Sequence, residues 1–184
     1  LSPLNMYGYS KQMFDLWALR RGIMDRIVGL KYFNVYGPRE DHKGDMRSVI
    51  NKAYDQIIQT GEVKLFKSYR PEYKDGEQVR DFIYVRDAVD ATLFFCDNTS
   101  ESGLFNCGTG AARTWNDLVR AVFAAMGREA KITYIDMPEA LRAKYQYHTQ
   151  ADITKLRDAG YNKPVTNLED GVREYVQDYL ALRK

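Results

Sequence analysis

Apolar positions along the chain change rhythm from segment to segment. Over residues 9–21, Met13, Phe14, Leu16, Trp17 and Leu19 recur at helical spacing with charges between them, which predicts an amphipathic helix. Residues 26–33 (RIVGLKYF) read as a buried strand, and residues 34–44 as a loop rich in glycine, proline and charge. Helical spacing returns over 46–60 through Val49, Ala53, Ile57 and Ile58, and Gly61 stops it. A short strand at 63–66 leads into a polar segment, 67–78, and 79–85 is again strand-like. A helix follows through Ala88, Ala91, Leu93 and Phe94. Residues 104–107 form a short apolar run that ends in Gly108-Thr109-Gly110, and Thr114 caps a helix carrying Leu118, Val119, Val122 and Phe123 on one face. Residues 131–135 alternate like a strand. From Pro138 the tail reads as largely helical, broken near Gly160 and Pro164. Strand–helix alternation of this kind predicts an α/β architecture with a mostly parallel sheet.

Composition narrows the class. The 184 residues fit one ordinary domain or part of a larger one, and suffice for a real core. With 27 basic and 25 acidic side chains the net charge is +2, so no electrostatic field points to nucleic acid. No apolar run approaches the roughly 20 residues that cross a bilayer. The opening residues 1–5 lack the basic and apolar regions of a signal peptide. Cys96 and Cys107 form no C-x-x-C pair and read as buried free thiols of a reducing compartment. A cytoplasmic globular protein is the expectation. His42 and His148 have no partner at ligand spacing, so no metal site is predicted.

Candidate chemistry begins with Tyr7 and Lys11, which the four-residue spacing places on one face of a helix, a turn apart. An ammonium beside a phenol favours the phenolate, drawing its pKa down from about 10 and readying it to exchange a proton with a hydroxyl. Chance alone supplies about one such pair in a chain with 14 tyrosines, so spacing by itself does not distinguish this from a helix-surface pair. The next segment adds context: a strand ending at Asn34 and a Tyr36-Gly37-Pro38 turn put polar groups at the carboxyl edge of a sheet, where open α/β sheets bind ligands. Lys43 lies in a charged loop, where a lysine is ordinarily just solvated. Arg80 suits either a carboxylate or a bidentate phosphate contact. Gly108 to Arg113 mimics a dinucleotide fingerprint, but its sixth position is arginine where close packing wants Gly or Ala. No ribose-binding acid follows in a proper unit either, so the segment reads as a turn.

Tyr-x-x-x-Lys, the KYFNVYGP segment, Arg80-Asp81-Phe82-Ile83-Tyr84-Val85-Arg86-Asp87 and Phe105-Asn106-Cys107-Gly108-Thr109-Gly110 occur in that order. Together they resemble the extended short-chain dehydrogenase/reductase family, with Lys31 standing where many members have arginine. NVYGPREDHKGDM, Leu65-Phe66-Lys67-Ser68 and the Tyr145-Gln146 segment running to Asp152 are similar to those epimerases of the family that act on ADP-linked heptoses.

The resemblance implies transient oxidation of the heptose at C6 by a tightly held NADP, with NAD the other candidate, and return of the hydride to the opposite face. Two opposed acid/base groups suit that chemistry, and the family's positions fall on Tyr7 and Lys43. Lys11 would hold the nicotinamide ribose, Val35 would meet the cofactor through its backbone, and Lys43 would also border it. Asn34, Lys52, Phe66, Arg80 and Tyr145 would contact substrate, Lys52 standing where some members have histidine. A homo-oligomer is implied as well.

In this family a glycine-rich βαβ unit precedes the Tyr-x-x-x-Lys helix, whereas here that helix opens the chain. The expected fold is therefore the C-terminal part of a Rossmann-like parallel sheet, over about 1–35 and 79–100. It is interleaved with a smaller substrate-binding domain over about 36–78 and 101–184, and the glycine-rich N-terminal half is absent. Two alternatives stand beside the heptose epimerase: another UDP- or GDP-sugar epimerase or dehydratase, and a binding module with no turnover.

Overall fold

In a computed structural model of the chain, residue 3, residues 5–98 and residues 100–183 are described; Leu1, Ser2 and Leu4 of the opening stretch lie outside them. Helix α1 (Met6–Arg20) is followed by strands β1 (Val28–Tyr32) and β2 (Asn34–Tyr36), a 3-10 turn at Asp41–Met46 and helix α2 (Val49–Thr60). Next come β3 (Val63–Phe66), β4 (Val79–Tyr84), α3 (Val85–Asp97), β5 (Gly103–Cys107) and β6 (Ala112–Thr114). Helix α4 (Trp115–Ala125), β7 (Ile132–Ile135) and three shorter helices, α5 (Glu139–Arg142), α6 (Thr154–Asp158) and α7 (Leu168–Tyr175), complete the order; α7 runs on into a wider turn at Val176–Leu180. β1 pairs with β5, β2 with β4 and β3 with β7, all parallel, while β4 also pairs antiparallel with β6.

Local chemistry explains most of these boundaries. Asn5 caps α1 by accepting the Gly8 amide at 2.9 Å. Thr114 and Asp117 form a reciprocal capping box at the start of α4. Gly61, at φ 75°, closes α2 with its amide on the Ile57 carbonyl. α2 begins three residues later than its periodicity suggests, because Ser48 is the residue whose side chain caps it.

Three expectations are corrected by pairing across the chain. Residues 34–36 are strand rather than loop, since β4 offers them a parallel partner. Residues 112–114 also become strand, against the start of β4. The tail is less helical than its pattern suggests. His148 bridges to Val79, the Val79 amide reaches the Tyr147 carbonyl at 2.9 Å, and the segment between α5 and α6 is held out straight beside β4.

Two clusters of buried side chains organise the molecule. One joins α2, α4 and α7 to β2, β3 and β4 through Ile57, Val119, Phe123, Val172 and Tyr175. The other lies under β5 and α3 and contains Ile83, Phe95, Phe105, Cys107, Leu156 and Tyr161. Thus β5 and part of the 151–161 segment pack with the β1 side of the molecule. Burial pushes the Cys107 thiol up to about 11, with Asp81 and Asp87 adding to the effect. Cys96, expected to be buried, is instead exposed on the outer face of α3.

Helix α1 departs most from expectation. Of its residues only Ala18 is buried, while Met13, Phe14, Trp17 and Leu19 are exposed. Helical periodicity shows that a face is apolar; it does not supply the surface that covers it. A Lys31–Asp15 ion pair of 2.6 Å ties α1 to β1, which gives the variant lysine of the KYFNVYGP segment a partner. Among the described residues no helix is long and apolar enough to cross a membrane.

Candidate active-site cleft

β2 and β4 run side by side, so Asn34 and Val35 register with Phe82 and Ile83 near the carboxyl edge of the pair. There the chain turns through Gly37 and Pro38 into the 3-10 segment that carries Lys43, then climbs into α2. The space enclosed is a cleft of about 350 Å³ whose walls include Asn34, Val35, Lys43 and Arg47. Val49 and Trp115 close this lobe and also border a second, of about 520 Å³, walled by Lys52, Phe66, Ile135 and Tyr145. Six of the nine residues singled out in the sequence therefore line two adjoining lobes. The first lobe is the more polar, and the second is largely apolar.

Arg80 lines neither lobe but packs against Trp115, which borders both, and Tyr145, which borders the second. It is 7% exposed, its guanidinium donates to the carbonyls of Val79 and Gln146, and it lies 5.6 Å from the Trp115 ring centre and 5.3 Å from that of Tyr145. Among the described residues no carboxylate pairs with it. Burial lowers its pKa from the ordinary arginine value. The Trp115 indole N–H donates to the Tyr145 hydroxyl at 3.0 Å, and burial raises the Tyr145 phenol despite the opposing effect of Arg80. A desolvated cation between two aromatic faces, with donor capacity left over, suits a phosphate of a nucleotide.

Tyr7 and Lys11 meet each other as their spacing requires, the Lys11 ammonium standing 5.0 Å from the centre of the Tyr7 ring. They do not join the cleft. Tyr7 is 70% exposed and lines neither lobe, and Lys11 borders a separate hollow with Phe14, Gly29 and Lys31. Among the described residues no cluster of His, Cys, Asp and Glu is disposed to hold a metal ion.

The Gly108-Thr109-Gly110 turn is built for its own chain. Asp81, wholly buried, accepts the amides of Thr109, Gly110 and Ala151 and the Thr109 hydroxyl, at 2.7 to 3.0 Å. A side chain at Gly108 would meet the Ala151 methyl at 2.6 Å and the Asp81 carboxylate at 2.9 Å. With the Thr109 and Gly110 amides spent on Asp81, the turn does not present them to a pyrophosphate.

Sequence reasoning overlooked Trp115, which joins the two lobes, and Asp81. Trp115 follows its cap directly and reads as one more apolar helix residue. Asp81 lies within a noted motif, and only its burial reveals its task.

A family model described as NAD dependent epimerase/dehydratase matches residues 1–108, more than half of the chain, and the chain belongs to that family. It is 64% identical over 181 residues to the ADP-L-glycero-D-manno-heptose-6-epimerase of Nitratidesulfovibrio vulgaris, covering 98% of this chain and 56% of that protein. The protein of the same name from Fusobacterium nucleatum is 49% identical over 188 residues, with 98% and 57% covered. The crystal structure of the Helicobacter pylori ADP-L-glycero-D-manno-heptose-6-epimerase superposes with a TM-score of 0.80 at 35% identity, over 98% of this chain and 53% of that one. The chain thus spans about half the length of the relatives it matches.

Proposed function

We propose that the complete protein is a cytoplasmic ADP-L-glycero-D-manno-heptose 6-epimerase. This chain supplies its substrate cleft and both acid/base groups. The observation that carries the reading is the two-lobed cleft, which gathers Asn34, Val35, Lys43, Lys52, Phe66 and Tyr145, with the buried Arg80 packed behind its Trp115 and Tyr145 walls. The apolar lobe suits a nucleoside, Arg80 the diphosphate, and the polar lobe with Asn34 and Lys43 the sugar.

The residues present fit one end of a nicotinamide dinucleotide. Lys11 and Tyr7 stand together on an open helix face, and the Val35 backbone lies at the sheet edge. The described residues offer no free glycine-rich cradle for the pyrophosphate, because Asp81 fills the one that resembles it. When bound, NADP supplies the reversible two-electron acceptor for the C6 carbon. Tyr7 and Lys43 then divide the proton work. One takes the C6 hydroxyl proton as the carbon becomes a ketone, and the other returns a proton once the ketone presents its opposite face. Lys11, which stands over the Tyr7 ring, would hold the nicotinamide ribose, and Asn34 orients the sugar. A homo-oligomer, which the resemblance implies, is proposed for the complete protein.

The test uses the complete enzyme with Tyr7→Phe or Lys43→Ala. Each change is expected to suppress epimerisation by on the order of 10² or more while NADP stays bound. Undiminished rates in both variants would remove Tyr7 and Lys43 from the chemistry.

A further inference from the structure

Lys43 sits on an exposed turn, and a lysine that moves protons at one fixed atom needs its backbone held. Glu40, three residues earlier, is 4% exposed and also borders the polar lobe. Its carbonyl accepts the Lys43 amide at 3.0 Å. Its carboxylate takes three donors: the Ser48 amide at 2.8 Å, the Ser48 hydroxyl, and the Tyr175 hydroxyl at 2.9 Å. Tyr175 closes α7 and accepts a further hydrogen bond from the Asn51 amide group of α2 at 2.8 Å. The turn between β2 and α2 is thereby strapped to the C-terminal helix, 135 residues away.

The backbone is bent to achieve this. Arg39, immediately before Glu40, has φ 67° and is the one non-glycine among the described residues with positive φ. A side chain resists that conformation, and it persists where surrounding contacts over-determine it, as they do at Glu40. Arg39 itself is exposed, so the bend serves its neighbour.

We propose that Glu40 is the positioning residue for Lys43, with Tyr175 locking it from the C-terminal helix. The inference rests on the acid/base reading of Lys43 given above. Tyr7 and Lys43 serve opposite faces of C6, so each governs the oxidation of one epimer. A fault confined to Lys43 therefore slows the first half-turnover from one epimer and spares the other. General damage to the fold slows both.

The experiment follows single-turnover oxidation of each epimer by nicotinamide absorbance, in the complete NADP-loaded enzyme, for Tyr175→Phe, Glu40→Gln, Lys43→Ala and Arg39→Gly. Tyr175→Phe and Glu40→Gln are expected to slow the epimer that Lys43→Ala slows, on the order of 10-fold, with the other epimer and the KM for substrate unchanged. Arg39→Gly, which frees the bend and leaves the strap intact, is expected to match the parent enzyme. Equal slowing of both epimers, or of neither, in the Tyr175 and Glu40 variants would overturn the proposal. If Lys43→Ala itself slows both epimers alike, the acid/base reading fails and this inference falls with it.

Discussion

Single residues in this chain draw their meaning from what their neighbours spend on them. Asp117 shows it in a structural role. Burial pushes its carboxyl up, but the Thr114 amide and hydroxyl and the Arg113 guanidinium outweigh burial and hold it below the ordinary carboxylate value. A depressed carboxyl contributes stability that is complete above the unfolded value of about 3.9 and is lost as pH falls through the folded one. Asp117→Asn is expected to lower stability by about 1 kcal/mol at neutral pH. The variant's urea midpoint should converge on that of the parent as pH falls through the depressed range of the folded carboxyl. A gap that stays constant down to pH 2 would mean that the charge of Asp117 does no capping. Arg80 shows the opposite case: it is a buried cation with no carboxylate partner among the described residues, its guanidinium donating instead to the carbonyls of Val79 and Gln146.

At the scale of elements, α7 matters beyond its length of 8 residues. Gly171 lies inside it, and replacing a helical glycine by alanine ordinarily gains about 1 kcal/mol. Here an added methyl would stand 2.2 Å from the Tyr36 hydroxyl and 3.3 Å from the Tyr84 ring. Both are wholly buried ring systems of β2 and β4. Overpacking of this kind costs about 1–3 kcal/mol, so the clash wins. Gly171→Ala is expected to lower the unfolding free energy by about 1 kcal/mol, measured by urea denaturation. A stabilised variant would show that Tyr36 can give way. The same helix is tied to the turn that carries Lys43 through the Tyr175 hydroxyl, which donates to Glu40.

For the whole molecule, the question is what surrounds α1. A helix of 15 residues with one buried side chain is a surface prepared for contact, and it carries Tyr7 and Lys11. The two lobes, by contrast, are lined by residues of β2, α2, β3, β4, α4 and β7 and of the 3-10 turn. The 184-residue chain purified by itself is expected to carry no NADP, since the glycine-rich turn at 108–110 is committed to Asp81. Nucleotide released by denaturation and quantified by chromatography checks this. Stoichiometric NADP would show that the chain holds the cofactor by other means.

The sequence alone determined the order and type of most elements, the caps at Thr114 and Gly61, the contact between Tyr7 and Lys11, and the motif residues that line the cleft. These are legible because hydrophobic period, capping and four-residue spacing act over a few residues, and motif order reflects a shared fold. Tertiary structure alone decided that 34–36 is a strand, that Cys96 faces outward, that Arg80 lies between two rings, and that Asp81 occupies the turn at 108–110. It alone joined Glu40 to Tyr175. Those outcomes depend on groups that meet across 28 to 135 residues of chain. A buried donor and acceptor satisfy one another wherever the fold brings them together, and no local pattern records the meeting in advance.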